Sequence, residues 1–382
     1  SKVVCARFLG EKAGLSCLVY RTPKSISTEP VGFTSMVFPP KIVSNKPDLT
    51  IILTHLNLPV FYLKYLSFEV KERNLYLVLV VLWLDRLAEG IGYLKLKVPQ
   101  QIVFAPNTHE LLFRLLSCFD WSKPLKILTT DSEFHSFNRQ SKRLAELPQV
   151  QLVQVATEPF ASFNSRFVTA AAELQPDLIF FSQVFFNSGV VVPELTSLVR
   201  QLQQACQARI AIDGYHAFMA IPTDLSALEG EIFYLAGSYK YAQGGEGCCF
   251  MLVPADNGLR PLYTGWFAEF GALASARTGA VQYSQDGYQF SGATMDFTAL
   301  YRLEAVLDLY QTQGITIAAV HQHVQQLQQA FLIELARQQH PLLNQTNLIQ
   351  HDLHQHGHFL TFRLADATTV AGLASLLKQQ GI

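Results

Sequence analysis

From Gln101 onward the chain alternates short apolar runs with stretches whose apolar residues recur every third or fourth position, which predicts strands separated by helices. Gln101-Ile-Val-Phe-Ala105 reads as a strand leading into a turn. Leu111, Leu112, Leu115, Leu116 and Phe119 then recur at helical spacing, with Asn107 or Thr108 placed to cap the helix and Glu110 shortly after. Leu125–Thr130 is a second buried strand, closed by the polar turn Asp131–Ser136. Val150–Val155 alternates like a strand, and a helix is predicted over Ser165–Leu174. Asp177–Val184, Arg209–Asp213, Ile232–Ala236 and Gly247–Val253 read as further strands, with a helix at Pro193–Cys206. Beyond Thr294 the spacing predicts a helix over Phe297–Gln313, a Gln-rich helix over Ile317–Gln339, a strand at Phe359–Leu364 and a final helix. There are no internal repeats.

This alternation predicts an α/β fold: a mostly parallel sheet flanked by helices, with a small C-terminal α+β domain. The expected organisation is an N-terminal segment of unclear match (1–98), a large domain (99–295) and a small domain (296–382) that is incomplete at Ile382. In such sheets ligands sit beyond the carboxyl ends of the strands. Ser182, Asp213 and Lys240 all fall at or just past predicted strand ends, so one pocket can collect them.

Composition adjusts this picture at the N-terminus. No Gln precedes Gln100, yet thirty occur from there to the end; Lys outnumbers Arg nine to four in residues 1–100 and is outnumbered five to eleven afterwards. Such a shift marks a domain boundary, a segment of separate origin or an error in the recorded sequence. The longest apolar run, Leu75–Leu84, is bounded by charges and is about half the length of a membrane span, so it reads as a buried strand or core helix. Ser1–Arg7 lacks the apolar core of a secretory signal. A formal net charge of −1 gives no electrostatic case for nucleic acid or an anionic membrane. Six cysteines without paired spacing read as reduced thiols in a cytoplasmic protein, with Cys248 and Cys249 as packing residues.

The candidate chemistry centres on Ala236-Gly-Ser-Tyr-Lys-Tyr-Ala-Gln-Gly-Gly-Glu-Gly247, where Lys240 sits between tyrosines and before a glycine turn. A surface lysine in a turn is the plain alternative. Asp213 ends a buried strand, where an unpaired carboxylate is costly and a cationic partner is needed. A helix N-cap would also explain it. A lysine amine and an acid so placed are what pyridoxal 5'-phosphate requires, one to form a Schiff base and one to face the ring nitrogen. His216 can reach the same ligand or satisfy a loop carbonyl. Asn107-Thr-His109 opens a helix, a geometry that serves phosphate binding and simple capping alike. Phe134 and His135 stand where a planar side chain can stack on a ring. Gly244-Gly-Glu-Gly247 lacks the spacing of a nucleotide loop. His351, His354, His356 and His358 lack an accompanying ligand set, so they read as a polar loop and no metal is expected.

From about Gln101 to the end the chain resembles the class V aminotransferase family of fold-type I pyridoxal phosphate enzymes, and within it the kynureninases most closely. Four motifs carry this in order: Phe181-Ser-Gln-Val-Phe-Phe-Asn-Ser-Gly189, Asp213-Gly-Tyr-His216, Ser238-Tyr-Lys-Tyr241 and Gly265-Trp-Phe267. The resemblance implies Lys240 as the covalent anchor and catalytic base, Asp213 as partner of the ring nitrogen, and His216 beside the ring. It also implies Phe134 stacked on the ring, Tyr239 with Asn107, Thr108 and His109 at the phosphate, and Ser182 lining the site. Phe290-Ser-Gly-Ala-Thr294 is similar to a segment whose threonine reaches the phosphate of a neighbouring subunit, which implies a homodimer with shared sites. Trp266, Glu269 and Gly292 fall at positions that face substrate.

The chain departs from kynureninases there: Ala268-Glu269 replaces Gly-His after Gly-Trp-Phe, and Gly292 stands where the family carries a substrate-selecting asparagine. The family's arginine that clamps the substrate carboxylate is not placed in this chain. The expected function is a pyridoxal phosphate-dependent enzyme acting on an amino acid, either by kynureninase-like hydrolysis or by amino-group transfer; a cofactor-binding protein without turnover is the rival. A cysteine desulfurase would need a nucleophilic cysteine well after the lysine, and none follows Cys249.

Overall fold

The computed structural model describes residues 3–7, 91–255, 257–272 and 279–379. All fall in one compact unit, residues 1–19 and 85–382. The apolar run Leu75–Leu84 and most of the segment 1–98 lie outside the described residues.

The N-terminal strand β1 (Val3–Arg7) pairs with a late strand considered below. Seven others build the main sheet: β2 (Ile102–Ala105), β3 (Leu125–Thr130), β4 (Val150–Val155), β5 (Leu178–Ser182), β6 (Arg209–Asp213), β7 (Phe233–Gly237) and β8 (Cys249–Leu252), in the order β2-β8-β7-β6-β5-β3-β4. Strands β3 to β7 are parallel, and β8 runs antiparallel to both β2 and β7. This is the mostly parallel α/β sheet that the alternation of elements predicts and the fold-type I architecture that the resemblance implies. Antiparallel β8 is a detail the apolar pattern cannot carry, because a strand buried on both faces reads the same in either direction.

Helices cover both faces because successive strand side chains point opposite ways. On one face, Ile127, Leu178, Phe180, Ala211, Phe233 and Met251 pack with the buried stripes of α1 (Thr108–Leu116) and α2 (His135–Leu144). On the other, Phe181 meets Phe167 of α3 (Phe163–Leu174) edge-on at 5.6 Å, and α4 (Leu195–Ala205) packs beside α3. The sequence reading leaves α2 out and extends a polar turn to Ser136; the structure starts the helix at His135. Its buried positions are only Phe137, Ser141 and Leu144, too thin a stripe to announce a helix among polar neighbours. Phe137 makes that stripe sufficient by stacking on Phe180 at 3.7 Å.

The C-terminal elements are α5 (Thr298–Thr312), α6 (Ile317–Gln338), β9 (Phe359–Arg363) and α7 (Ala367–Gln379). Strand β9 pairs antiparallel with β1. The segment before it is tied to the loop after β5, with Val191 N donating to Gln355 O and Gly357 N to Gly189 O, each at 2.8 Å. That tie brings His358 and Phe359 against residues at the carboxyl ends of the parallel strands. The His-rich tract therefore divides: His351 and His354 are exposed, while His356 and His358 are buried and not part of a polar loop.

Candidate active site

Lys240 lies just past β7, half-buried, in a turn that closes back on the strand: Ser238 N donates to Cys248 O at 2.9 Å and Gly244 N to Ser238 O at 2.9 Å. Its Nζ stands 2.7 Å from His216 Nε2. The rings of Tyr215, Phe134 and Tyr239 lie 4.8, 5.0 and 5.7 Å from the same atom, so aromatic faces surround the amine and favour its positive charge. His216 is itself fixed, stacked on Phe186 with 15° between the rings and met at an angle by Phe359 at 5.4 Å. The strand-to-turn geometry that delivers Asp213 and His216 needs Gly214: a Cβ there would fall 1.9 Å from the Tyr234 ring.

Asp213 ends β6 fully inside the protein, and Oδ1 accepts from Tyr215 N at 2.8 Å. Burial raises its pKa above the usual carboxylate range, with the Tyr215 N–H and the charge of Lys240 pulling against it. A buried acid held by one backbone N–H is built to meet a cation. On neighbouring strands, Ser182 is the register partner of Asp213, and Glu133 lies just past β3. Sequence reasoning passed over Glu133 although it directly precedes Phe134. Only the fold reveals that it is buried, with Thr130 and Ser182 against it.

At the opening of α1, Asn107 Oδ1 accepts from Glu110 N at 3.0 Å and so caps the helix. Thr108 Oγ1 donates to Cys249 Sγ at 3.4 Å, and Tyr215 Oη lies 3.4 Å from the same sulfur, which links this helix start to the ring cluster around Lys240. His109 faces the other way. Its Nδ1 is 2.7 Å from Gln140 Nε2, and it lines a cleft of about 490 Å³ between α1 and α2 with Phe113, Leu116 and Trp121.

Trp266, Glu269, Gly292 and Thr294 gather in a second cluster. Trp266 Nε1 donates to Thr294 Oγ1 at 3.2 Å, and the Glu269 carboxylate accepts from Gln282 N. Gly292 packs on Arg114 of α1, whose Nη2 stands 2.5 Å from where a Cβ would be, so the glycine makes room for the guanidinium. Arg114 is buried, donates to Phe290 O at 3.0 Å and pairs with Glu110 at 2.7 Å. Burial lowers its pKa and Glu110 opposes that shift. No sequence signal marked it, since Phe290 and Gly292, which it packs against and anchors, are far along the chain. Among the described residues no group of three or more His, Cys, Asp or Glu is arranged to hold a metal ion.

An amine ringed by aromatic faces, a histidine in contact with it and a buried acid thus meet at the carboxyl ends of parallel strands in an α/β protein. The chain belongs to the aminotransferase class V family, which it matches over residues 93–382. Pyridoxal 5'-phosphate is its cofactor, as the resemblance implied. No curated protein matches the chain. Among solved structures it is similar to an apo cysteine desulfurase from Thermococcus onnurineus NA1, with 16% identity, a TM-score of 0.61, and 76% of this chain and 70% of that one covered. It is also similar to the cystine C-S lyase C-DES in complex with cysteine persulfide (21%, 0.54, covering 73% and 71%) and to the cysteine desulfurase CsdA from Escherichia coli (14%, 0.56, covering 76% and 70%). At these identities the likeness is one of fold.

The residues present fit the cofactor. Asp213 is a buried acid whose strongest need is a cation, and a protonated ring nitrogen supplies one. No helix among the described residues is long and apolar enough to cross a membrane.

Proposed function

We propose that the chain is a pyridoxal phosphate-dependent enzyme acting on a small amino acid, by hydrolytic cleavage of the kynureninase kind, in a homodimer with shared sites. The observation that carries the reading is Lys240 Nζ at 2.7 Å from His216 Nε2, in a turn whose neighbouring strand ends in buried Asp213. The ordered motifs around these residues support the hydrolytic form. Free Cys118, Cys206, Cys248 and Cys249 fit a reducing, cytoplasmic compartment.

When bound, the cofactor supplies an electron sink for the electrons left at the substrate's Cα. Lys240 would hold it covalently, and Nζ, when free, would stand to take the substrate's Cα proton. His216 Nε2 accepts a proton from Nζ or returns one across their short contact. Asp213 would pair with the protonated ring nitrogen, and the low-dielectric pocket would strengthen that attraction. Phe134 would cover a ring face, and Phe186 and Tyr215 would exclude water around the amine. Asn107, Thr108 and Tyr239 are assigned to the phosphate with Ser182 lining the site; His109 joins them by its backbone, since its ring turns to Gln140.

Substrate choice is assigned to Trp266, Glu269 and Gly292. With Arg114 filling the space beside Gly292, no side chain at 292 reaches a substrate, which supports an amino acid other than kynurenine. The test is incubation with kynurenine-like and common amino acids without a keto acid. Released alanine supports hydrolysis. Stoichiometric build-up of the amine form of the cofactor supports amino-group transfer instead. Neither, over a wide substrate set, favours binding without turnover.

A further inference from the structure

The reaction proposed above gives Glu133 no task, yet its surroundings are built. It is 4% exposed and lies one residue before Phe134, past the carboxyl end of β3. Thr130 Oγ1 donates to Oε1 at 2.5 Å and Ser182 N donates to the same oxygen at 3.2 Å. The other oxygen, Oε2, lies 2.6 Å from Ser182 Oγ. No cation pairs with Glu133 among the described residues; the charged group acting on it is a second buried acid, Asp213. Two carboxyls buried together do not both ionise cheaply, and one keeps its proton. The charge of Lys240 acts on Asp213, so Asp213 is the one to ionise. Burial first, and Asp213 after it, hold the Glu133 acid up to about 8, against the pull of its hydrogen bonds to Ser182 and Thr130.

The hydrogen bonds also say which oxygen carries the proton. Two donors already converge on Oε1: the Ser182 N–H can only donate, and Thr130 Oγ1, which already accepts from Ser132 N at 3.1 Å, turns its own O–H to the carboxyl, so Oε1 is the acceptor. The partner of Oε2 is a hydroxyl, which can accept as well as donate. A proton on Oε2 then points at Ser182 Oγ, and the Ser182 O–H no longer has to satisfy the carboxyl. Ser182 stands in register with Asp213, so that hydroxyl is released beside the group Asp213 binds.

We propose that Glu133 is a positioning residue of the cofactor site: held as the neutral acid, it donates from Oε2 to Ser182 Oγ and frees the Ser182 hydroxyl to donate to the cofactor or substrate beside Asp213. This rests on the reading of Lys240 and Asp213 as a pyridoxal phosphate site. The role differs from that of a charge, and the difference is measurable. Glu133→Gln keeps an acceptor at Oε1 and a donor toward Ser182, so it reproduces the neutral acid. Glu133→Ala removes both.

The experiment titrates pyridoxal phosphate into apo wild type, E133Q, E133A, S182A and the double variant E133A/S182A, with circular dichroism checking the fold of each. E133Q is expected to bind within about twofold of wild type, and E133A and S182A roughly tenfold or more weaker, the size of a lost buried hydrogen-bond partner. The double variant should be no weaker than E133A, because the two residues act as one unit. Infrared difference spectra of the apo proteins add a readout independent of the cofactor. Wild type should show a protonated carboxyl band at pH 7 that E133Q lacks and that titrates away near 8. A missing band, E133Q binding as weakly as E133A, or E133A binding like wild type each overturns the proposal while the cofactor reading stands. Wild type that takes up no cofactor overturns both. If E133A does not fold, the contrast between E133Q and S182A together with the infrared band decides the matter.

Discussion

At the residue scale, the candidate site was legible wherever chemistry and chain position coincide. Lys240, Asp213 and His216 each end or follow an apolar strand, and a charged side chain there is conspicuous. The structure brings Lys240 to His216 at 2.7 Å and buries Asp213 at the end of the neighbouring strand. Glu133 and Tyr215 were illegible for the opposite reason. Their meaning comes from Ser182 and Cys249, which only tertiary folding delivers. Asp213 carries a prediction with two faces. Its burial raises its pKa, so without a cation it costs stability at neutral pH. Apo Asp213→Ala should therefore melt no lower than apo wild type, while turnover of the loaded enzyme falls roughly a hundredfold or more, as for loss of a preorganised charge. Unchanged turnover would mean that Asp213 does not face the ring nitrogen.

At the scale of elements, strands and long helices followed from apolar spacing, and α2 did not, because its buried stripe is so short. The buried half of the His tract was hidden as well, since nothing local shows that Gly357 and Gln355 bond to the loop after β5. Burial, and then His321, push His358 down to about 3; burial, and then His351, lower His356. Both are held neutral in the fold, so the unfolded chain binds more protons once pH falls below the ordinary histidine value of about 6.5. Stability should therefore drop from about pH 6.5 toward pH 3, with His358 contributing up to about 1.4 kcal/mol per pH unit and His356 acting in the same direction. Thermal melts of wild type and His358→Gln across this range check it: the variant should have the flatter profile, and parallel profiles would contradict the assignment. A second element-scale prediction concerns the Phe290–Thr294 segment. Arg114 anchors it to α1, with Glu110 about one-third exposed and partly screened. Arg114→Met should cost about 2–3 kcal/mol, at or below the usual range for breaking a buried pair. Denaturant unfolding that shows no loss would place the anchor elsewhere.

At the scale of the whole molecule, the α/β class and the family follow from alternation and motif order, whereas assembly does not, since a homodimer rests on one segment ending at Thr294. Lys240→Ala and Thr294→Ala proteins, each impaired, should regain activity when unfolded and refolded together if Thr294 serves the neighbouring subunit's site. No recovery, with both variants folded, would confine each site to one chain. The claim on which all of this depends is that Lys240 carries the cofactor. Loading the purified protein with pyridoxal 5'-phosphate, reducing it with borohydride and mapping the labelled peptide tests that directly. The label is expected on Lys240, with none taken up by Lys240→Ala; a label on another lysine, or colourless protein with no label at all, would contradict the account.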